Sequence, residues 1–349
     1  MKDSQPVKIK QRKFKRNNKN SAKPKPTPPP VIPAKAGIQI QKIIKTKILK
    51  FDLQLTLIPL IILCFTLIAI ASFNILLRQK IEKEQLLPLQ YTIKLTPYPF
   101  MDKITNPDIS AQSAIITDAG SHTVLYSKNP DLRFSMASTT KIMTALVALD
   151  YYQDKSILTI YSPHIKGSNI GFHQGEKFYF KDLLYAMLLP SSNEAAYAIA
   201  ENYPGGKDAF IRKMNQKARE LNILNTHYED PAGLDDDNNY STVLDLSHLA
   251  ADAIKNKNLS SIFATKHKTI TDITGTNVYQ LENLNKLLGE NGVNGIKTGT
   301  TEGAGEVLVT SKVENTHTFI IIVMKSTERF VDTKILLSLI NKNVHFYNP

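Results

Sequence analysis

Cysteine is nearly absent from this chain of 349 residues, and its scarcity excludes several kinds of site. The single cysteine, Cys64, rules out an intramolecular disulfide and any zinc site built from cysteines. The eight histidines form no HExxH pattern or other short-spaced cluster, so a metallopeptidase is not expected. There is also no GxGxxG and no Walker A loop, the usual signatures of dinucleotide and nucleoside triphosphate binding.

Acidic residues are scarce at the N-terminus, where the first 50 residues carry fifteen Lys and Arg against one acid, Asp3. The whole chain has a net charge of +12, so the other 299 residues together carry −2. A nucleic-acid enzyme is expected to place its positive surface on the folded domain, so no nucleic-acid partner is expected. Residues 1–52, with a Pro-rich run at 23–30, are predicted to form a disordered, basic cytoplasmic tail. A tail that binds acidic lipid headgroups or nucleic acid is the alternative to a simply solvated one.

Charge is missing altogether from residues 53–77. At about 1.5 Å per residue, a helix of this length crosses a hydrocarbon layer about 30 Å thick, so a transmembrane helix is predicted. The lysines before it should keep the N-terminus cytoplasmic and place the rest of the chain outside the cytoplasmic membrane. A cleaved signal peptide is the rival interpretation, because Ala69-Ile70-Ala71 has the small-x-small form. That triplet lies inside the apolar run, so a single retained anchor in the lipid bilayer is favoured.

The remaining sequence predicts a linker at 78–106 and one mixed domain at 107–349. Strands are predicted at 114–117, 122–126, 306–311 and 318–324, and helices at 138–150, 179–189, 194–201, 207–221, 242–255 and 328–340. Strands near both ends with helices between them predict one sheet assembled from distant segments.

Three short motifs carry the chemistry, and the first is Ser138-Thr139-Thr140-Lys141. On a helix, residues i and i+3 lie on one face, so the Lys141 ammonium can reach the Ser138 hydroxyl. A serine hydroxyl is a poor nucleophile until a base takes its proton, and Lys141 can do so if burial or nearby positive charge lowers its pKa. Read alone, a capping serine with a surface lysine explains the same spacing.

The second motif, Ser191-Ser192-Asn193, follows Pro190 at the end of one predicted helix and begins the next, so simple N-capping would also explain it. The third is Lys297-Thr298-Gly299, predicted on a strand with Lys297 and Gly299 pointing to one side. A glycine there allows a substrate to lie close along the strand, whereas a turn-rich surface loop is the alternative. The order SxxK, SxN, KTG is the signature set of the penicillin-interacting serine enzymes.

With these motifs the chain resembles the serine-type D-alanyl-D-alanine carboxypeptidases, the low-molecular-weight penicillin-binding proteins, over residues 108–347. Further segments that carry the resemblance are 137–145, 182–191, 230–234, 240–242 and 294–299. The resemblance implies an α/β fold of the α+β type, β-lactamase/transpeptidase-like, in which an antiparallel sheet is flanked by helices and joined by an all-helical lobe. It implies no metal or organic cofactor.

The resemblance also implies a role for each residue of the three motifs. Ser138 would be the nucleophile, Lys141 its general base and Ser191 a proton relay to the leaving amine. Asn193 would hold the substrate's peptide amide. Lys297 and Thr298 would bind the terminal carboxylate beside Gly299, and the backbone N–H groups of Ser138 and Thr300 would form the oxyanion hole. The expected partners are peptidoglycan stem peptides as substrates and β-lactams as acylating inhibitors.

The sequence departs from the family in two places near the site. Ser192-Asn193-Glu194 stands where relatives often have Gly-Asn-Asp after the second-motif serine, and Thr300 follows the KTG where an aromatic residue or His is common. Four functions stay open: a D,D-carboxypeptidase, a D,D-endopeptidase of the same fold, a β-lactamase and a non-catalytic cell-wall-binding module. The β-lactamase is disfavoured because no clear ExxxN-type deacylating element is present. The binding module is disfavoured because it would not need a nucleophile–base pair.

Overall fold

The computed structural model describes residues 34–85, 98–102, 106–314 and 316–347. The chain divides into two compact units, residues 1–92 and residues 93–349. The part of the predicted tail before residue 34 lies outside the described residues.

The first unit contains one long helix, α1 (Ala34–Gln85). Its stretch Leu57–Glu82 is the one helix in the described ranges that is long and apolar enough to cross a membrane, and its side chains are exposed. Thr66 Oγ1 and Ser72 Oγ each donate to a carbonyl oxygen of their own helix at 2.8 Å, which satisfies these hydroxyl groups within the helix itself. The apolar segment predicted at 53–77 lies within this helix.

Two predicted boundaries differ from the structure. Residues 34–52, predicted as part of the disordered tail, are helical, because no proline interrupts the chain between Pro33 and Pro59 and good helix formers such as Lys, Gln and Ala fill much of the segment. The predicted linker 78–106 is helical as far as Gln85, and its residues Tyr98–Met101 form a strand. Residues 86–97 and 103–105 are outside the described ranges.

The second unit is organised around one antiparallel sheet of five strands. In spatial order the strands are β10 (Val293–Thr301), β11 (Gly305–Glu314), β12 (His317–Ser326), β2 (Ser113–Asp118) and β3 (Val124–Lys128). β-Branched side chains dominate β11 and β12, as pleated and buried strands favour. The strand predicted at 122–126 begins later, because His122 has a left-handed φ of 58° and belongs to the preceding turn.

Alternation along the central strands gives the sheet two apolar faces. Ile115, Ile320 and Ile322 lie in the larger buried cluster with the helices of the lobe, whereas Ile116 and Ile321 lie in a second cluster. Leu336, Leu337 and Ile340 of α8 (Arg329–Asn343) complete that second cluster. Helices therefore cover both faces of the sheet.

The helical lobe is built around α2 (Lys141–Leu149), whose residues 141–148 are all buried. Its other helices are α3 (Phe180–Leu188), α4 (Asn193–Glu201), α5 (Gly206–Glu220), α6 (Val243–Lys255) and α7 (Lys257–Phe263). An α+β fold with an antiparallel sheet, flanking helices and a helical lobe is therefore confirmed.

In the part of the chain that the structure describes, four two-stranded sheets supplement the main one, and the sequence predicts none of them. They pair β1 (Tyr98–Met101) with β13 (Val344–Tyr347), β4 (Phe134–Ser135) with β7 (Tyr240–Ser241), β5 (Ile157–Thr159) with β6 (Lys177–Tyr179), and β8 (His267–Thr271) with β9 (Val278–Glu282). β4 lies directly before the Ser138 turn in sequence, so its pairing with β7 anchors the segment that leads into the turn.

Candidate active site

Ser138 lies in a 3₁₀ turn, Ala137–Thr140, that leads into α2. In such a turn side chains at i and i+3 are eclipsed, which places Lys141 directly beside Ser138. Ala137 has a left-handed φ of 46°, an uncommon conformation for a residue with a Cβ atom. Gly233 supports the turn from outside: a Cβ atom there would lie 1.8 Å from the carbonyl oxygen of Ala137. Only a glycine allows this approach.

Lys141 is fully buried and its ammonium is held on three sides. Nζ donates to Ser138 Oγ at 2.9 Å, to Asn193 Oδ1 at 2.7 Å and to the carbonyl oxygen of Ala232 at 2.7 Å. Burial lowers the pKa of Lys141 from 10.5 to about 7, although the nearby Asp230 carboxylate acts to raise it. Near neutral pH this amine can therefore exchange a proton with the hydroxyl beside it.

Asp230 organises the loop that supplies the Ala232 carbonyl. Its Oδ1 accepts the backbone N–H groups of Ala232 at 2.8 Å and Leu234 at 3.1 Å, and also that of Gly233. Its Oδ2 accepts from the hydroxyl of Tyr197 at 3.1 Å. The sequence contains this loop but does not single out Asp230 as a site residue, because a turn-capping aspartate is common and its partners are brought in by the fold.

The segment Ser191-Ser192-Asn193 both caps the N-terminus of α4 and supplies side chains to the site. Ser192 is the N-cap, since its Oγ accepts the backbone N–H of Ala195 at 3.1 Å. Asn193 instead bridges the cleft, bonding Lys141 through Oδ1 and donating from Nδ2 to the Lys166 carbonyl at 2.6 Å. Ser191 has a left-handed φ of 67°, and its buried Oγ has no hydrogen-bond partner in the described part of the chain. The predicted capping thus holds for the middle residue, and the other two face the site.

The KTG segment lies on β10, the edge strand of the main sheet. Gly299 packs against the Ser138 turn, where a Cβ atom would lie 3.0 Å from Ala137 Cβ and 3.1 Å from the backbone nitrogen of Ser138. Thr298 is buried, and Thr300 is exposed at the rim. The strand assignment of this motif is therefore correct, and the surface-loop alternative is not.

Lys297 is the second buried amine of the cleft, and its Nζ donates to the Thr298 carbonyl at 2.9 Å. Burial, together with the charges of Lys141 and Arg329, holds the pKa of Lys297 well below its usual range. Two amines and a guanidinium thus lie close enough to affect one another, which makes this end of the cleft suited to an anionic group.

Arg329 is a site residue that the sequence does not reveal. It begins α8, and its Nη1 donates to the Gly299 carbonyl at 2.9 Å and to Thr300 Oγ1. Glu306 anchors it by accepting the Arg329 backbone N–H at 2.8 Å. Arg329 follows the KTG segment by some thirty residues, and no local sequence pattern links the two. Sequence reasoning alone therefore could not place it in the site.

Within the described ranges, no three His, Cys, Asp or Glu side chains are grouped as a metal site requires. The cleft therefore offers a hydroxyl with an adjacent amine of lowered pKa, a second serine hydroxyl and a cationic strand. Such a set is suited to acyl transfer from a substrate that carries a negative charge.

Comparison with known proteins supports that chemistry. The family model of D-alanyl-D-alanine carboxypeptidase, peptidase family S11, matches residues 101–328. A D-alanyl-D-alanine carboxypeptidase of Streptomyces sp. strain K15 is 35% identical over 243 residues, covering 64% of this chain and 84% of the relative. A D-alanyl-D-alanine endopeptidase of Pseudomonas aeruginosa is 34% identical over 223 residues, covering 62% of this chain and 72% of the relative.

Solved structures agree with the sequence matches. The crystal structure of the Streptomyces K15 DD-transpeptidase superposes with a TM-score of 0.64 at 33% identity, covering 68% of this chain and 98% of that one. The fold, the geometry of the three motifs and the sequence similarity all indicate the same family. The chain therefore belongs to the D-alanyl-D-alanine carboxypeptidase family of serine peptidases, peptidase family S11.

Proposed function

We propose that this protein is a D-alanyl-D-alanine carboxypeptidase that removes the terminal D-Ala from peptidoglycan stem pentapeptides through an acyl-serine intermediate. The observation that carries the proposal is the 2.9 Å contact between Lys141 Nζ and Ser138 Oγ, with the pKa of Lys141 lowered to about 7. An amine whose pKa is lowered to near neutrality is available in its neutral form near pH 7 and can take the serine's proton.

The reaction proceeds in two steps, acylation of the serine and hydrolysis of the acyl-enzyme. Ser138 Oγ attacks the carbonyl carbon of the penultimate D-Ala while its proton passes to Lys141. The bond to the terminal D-Ala nitrogen then breaks, and that nitrogen leaves with the proton that Lys141 had taken, relayed through Ser191, so that Lys141 is neutral again. Water hydrolyses the ester, which releases the shortened stem peptide and restores the hydroxyl. The Ser191 Oγ supports this role, since it is buried at the site with no other hydrogen-bond partner in the described residues.

The substrate's terminal carboxylate lies, in this proposal, at the cationic end of the cleft. Lys297 and Arg329 supply charge, Thr298 supplies a hydroxyl, and Gly299 leaves room for the peptide backbone. A bound carboxylate would act to raise the pKa of Lys297 and so favour its charged form.

The developing negative charge of the intermediate needs donors of its own. The backbone N–H groups of Ser138 and Thr300 form the oxyanion hole, and the loss of one such donor typically costs about 10²–10³ in rate. Asn193 holds the peptide amide of the substrate as well as the amine of Lys141.

Labelling with a fluorescent penicillin tests the nucleophile. The full chain in detergent should be labelled and should release D-Ala from a pentapeptide ending in D-Ala-D-Ala, and Ser138→Ala should do neither. Ser338→Ala, which removes an exposed serine hydroxyl from α8, is the matched control and should behave as the wild type. Labelling that survives Ser138→Ala would displace Ser138 from this role.

A D,D-endopeptidase is the second candidate, because relatives such as that of Pseudomonas aeruginosa are named as endopeptidases. Digestion of a cross-linked muropeptide dimer beside a pentapeptide separates the two functions. We expect faster cleavage of the pentapeptide, and faster cleavage of the dimer would make the endopeptidase the correct assignment.

β-Lactams should acylate Ser138 and remain attached, which makes the enzyme penicillin-sensitive. If the protein turned over a coloured cephalosporin many times per second, it would be a β-lactamase instead. A protein that neither cleaves a peptide nor reacts with penicillin would be a binding module.

The N-terminal helix places the enzyme in the cytoplasmic membrane in this proposal. Lysines such as Lys45, Lys47 and Lys50 precede the apolar segment, so residues 1–52 stay cytoplasmic and residues 107–349 face the cell wall. Protease added to intact spheroplasts should digest the catalytic domain and spare an N-terminal epitope. Protection of the catalytic domain would reverse the orientation, and an N-terminus that begins after Ala71 in the mature protein would identify a cleaved signal peptide.

A further inference from the structure

The loop of residues 166–172 precedes β6 and contacts the active site at the start of α4. It contains no helix or strand. Its residues are exposed except for the half-buried Ile170 and the buried Phe172, whose ring packs on Phe178 with 4.4 Å between centroids and on Tyr279 with 4.9 Å. Without a hydrogen-bond ladder of its own, such a loop keeps one shape only where other groups hold it.

Asn193 is held by this loop at two points. Its backbone N–H donates to the Ser168 carbonyl at 2.7 Å, and its side-chain Nδ2 donates to the Lys166 carbonyl at 2.6 Å. Its Oδ1 accepts from Lys141 Nζ at 2.7 Å. A side-chain amide has a donor at one end and an acceptor at the other. The Lys166 carbonyl therefore determines that the oxygen of Asn193, and not its NH₂ group, faces the buried amine.

Gly167 shows how closely the loop lies against that amide. A Cβ atom at this position would be 2.8 Å from Asn193 Nδ2, and the residue has a left-handed φ of 93°. Only glycine meets both conditions without strain. The orientation of the Asn193 amide therefore depends on the loop keeping its place.

Glu194, the residue after Asn193, anchors the same loop. It is 1% exposed, and its Oε2 accepts the backbone N–H of Ile170 at 2.9 Å. The backbone N–H groups of Gly171 and Phe172 lie close enough to favour the charged form of the carboxylate. Two consecutive residues in the first turn of α4 thus hold the loop, Asn193 its first half and Glu194 its second half.

The carboxylate of Glu194 depends on hydrogen-bond donors for its charge. Among the described residues, no ion pair includes Glu194, and burial raises its pKa. The Ser192 hydroxyl also donates to it, at 3.3 Å. A buried carboxylate without a cation is costly unless donors surround it, and a helix N-terminus favours negative charge. The bonds that fix the loop therefore offset the cost of burying this charge.

We propose that Glu194 is a positioning residue for the reaction. Its carboxylate fixes the loop, the loop presents the Lys166 carbonyl to Asn193, and Asn193 in turn keeps its oxygen on Lys141 Nζ. This inference rests on the proposed function in one respect, because the role of Lys141 as general base gives the contact its effect on catalysis.

The pKa of Lys141 reports whether Asn193 is held in place. It is measured by NMR on the full chain in detergent with isotopically labelled lysine, as the signal that is absent from Lys141→Met. Glu194→Gln keeps the side-chain size, removes the charge and leaves one oxygen instead of two for the loop. Once the loop is released, the Lys141 ammonium loses an acceptor, so its pKa should fall by about one pH unit. The nearby charges of Asp230 and Lys297 are the same in this variant.

Gly167→Ala breaks the same link from the loop side without any change of charge. The added Cβ atom should displace the Asn193 amide, so the pKa of Lys141 should again fall. This variant separates positioning from a direct effect of the Glu194 charge on Lys141.

The pH dependence of catalysis should follow the pKa of Lys141. In both variants the rise of kcat/KM for D-Ala release should move to lower pH, and kcat/KM at its plateau should fall about tenfold. A general loss of folded protein would lower the plateau and leave the rise in place. Hydrogen exchange of residues 166–172, measured by mass spectrometry, should be faster in Glu194→Gln than in the wild type.

Glu201→Gln is the matched control, because it removes a carboxylate from the same helix, where Glu201 Oε1 accepts the Ser162 hydroxyl at 2.6 Å. It should leave the pKa of Lys141 and the exchange of the loop unchanged. An unchanged pKa in Glu194→Gln would overturn the inference, and so would a shift there that Gly167→Ala does not share. If the wild type releases no D-Ala, the carboxypeptidase is wrong instead, while the pKa comparison still decides the role of Glu194.

Discussion

The main sheet and the cleft along its β10 edge bury their residues in opposite ways. In the sheet, Ile116 lies opposite Ile321 on neighbouring strands, and both are fully buried among other apolar side chains. In the cleft, the fully buried groups are the amines of Lys141 and Lys297, which hold pKa values far below their usual range because burial disfavours their charge. Burial of apolar side chains stabilises the sheet. Burial of the two amines in the cleft lowers the stability of the fold, but it also gives Lys141 the lowered pKa that its reactivity requires.

The main sheet and the cleft also differ in backbone conformation. Ala137 and Ser191, on either side of Lys141, both have left-handed φ values, and no residue of β2 or β12 before Lys325 does. Conformations of this kind persist only where the surroundings impose them. The cleft therefore depends on the rigid sheet and lobe to hold it, and changes to the two regions should be separable by experiment.

Lys141→Met should give the largest effect on activity and a modest effect on stability. Loss of the base should lower kcat/KM for D-Ala release by about 10³-fold, since general bases contribute about 10²–10⁴. The folded state holds the pKa of Lys141 below its unfolded value, so the penalty of burying its charge is fully present below pH 7 and is relieved as pH rises toward 10.5. Denaturation at several pH values should show the stability of the variant relative to wild type improving as pH falls. An unchanged kcat/KM would contradict the role of Lys141.

Ile321→Ala should have the opposite effects, a large loss of stability and little change in activity. Removal of a fully buried Ile side chain should lower the free energy of unfolding by about 2–5 kcal/mol, while kcat/KM per folded molecule stays within about twofold of wild type. Val313→Ala on the neighbouring β11 is the control, because that side chain is 42% exposed and its loss should cost little. A specific loss of activity in folded Ile321→Ala would show that sheet and cleft are not separable.

Arg329→Gln should act mainly on substrate binding. Loss of the guanidinium beside Gly299 and Thr300 should raise KM by about tenfold, the scale of one charge-assisted hydrogen bond, with a smaller change in kcat. Arg329→Lys keeps the positive charge but lacks the planar guanidinium, so its KM should lie between those of the wild type and of Arg329→Gln. An Arg329→Gln enzyme with wild-type KM would remove Arg329 from the carboxylate site.

The smallest expected effect is a shift in the pH dependence of kcat/KM. Because only neutral Lys141 can accept a proton, kcat/KM should rise with pH through about 7. Asp230 acts to raise the pKa of Lys141, so Asp230→Asn, which keeps Oδ1 as acceptor for the loop, should move that rise to lower pH. A rise that stays in place or moves upward would contradict this coupling.

Local chemistry explains which features the sequence predicts. The i,i+3 spacing of Ser138 and Lys141 brings the two side chains together whether the segment is an α-helix or, as observed, a 3₁₀ turn. The β11 and β12 strands follow from runs rich in β-branched and apolar residues, and α8 buries Leu336, Leu337 and Ile340, which recur at helical spacing. Each of these signals lies within a few residues.

Long-range contacts explain what the sequence does not predict. Asp230 and Arg329 belong to the site only because the fold brings their loops to the Ser138 turn and to β10. The β8–β9 hairpin is hidden because four of the five residues of β8 are exposed, so no buried alternation marks the strand. The contact of Asn193 with Lys141, 52 residues apart, has no local signature; the motif set indicated that Asn193 belongs to the site but did not predict this contact.

The central claim is that Ser138 is the residue activated by its buried amine neighbour. Reaction of the full chain with penicillin, followed by proteolysis and mass spectrometry of the labelled peptide, tests it most directly. The account predicts a single acyl adduct on Ser138, absent from Lys141→Met at the same exposure time. An adduct on any other residue, or equal labelling of Lys141→Met, would contradict it.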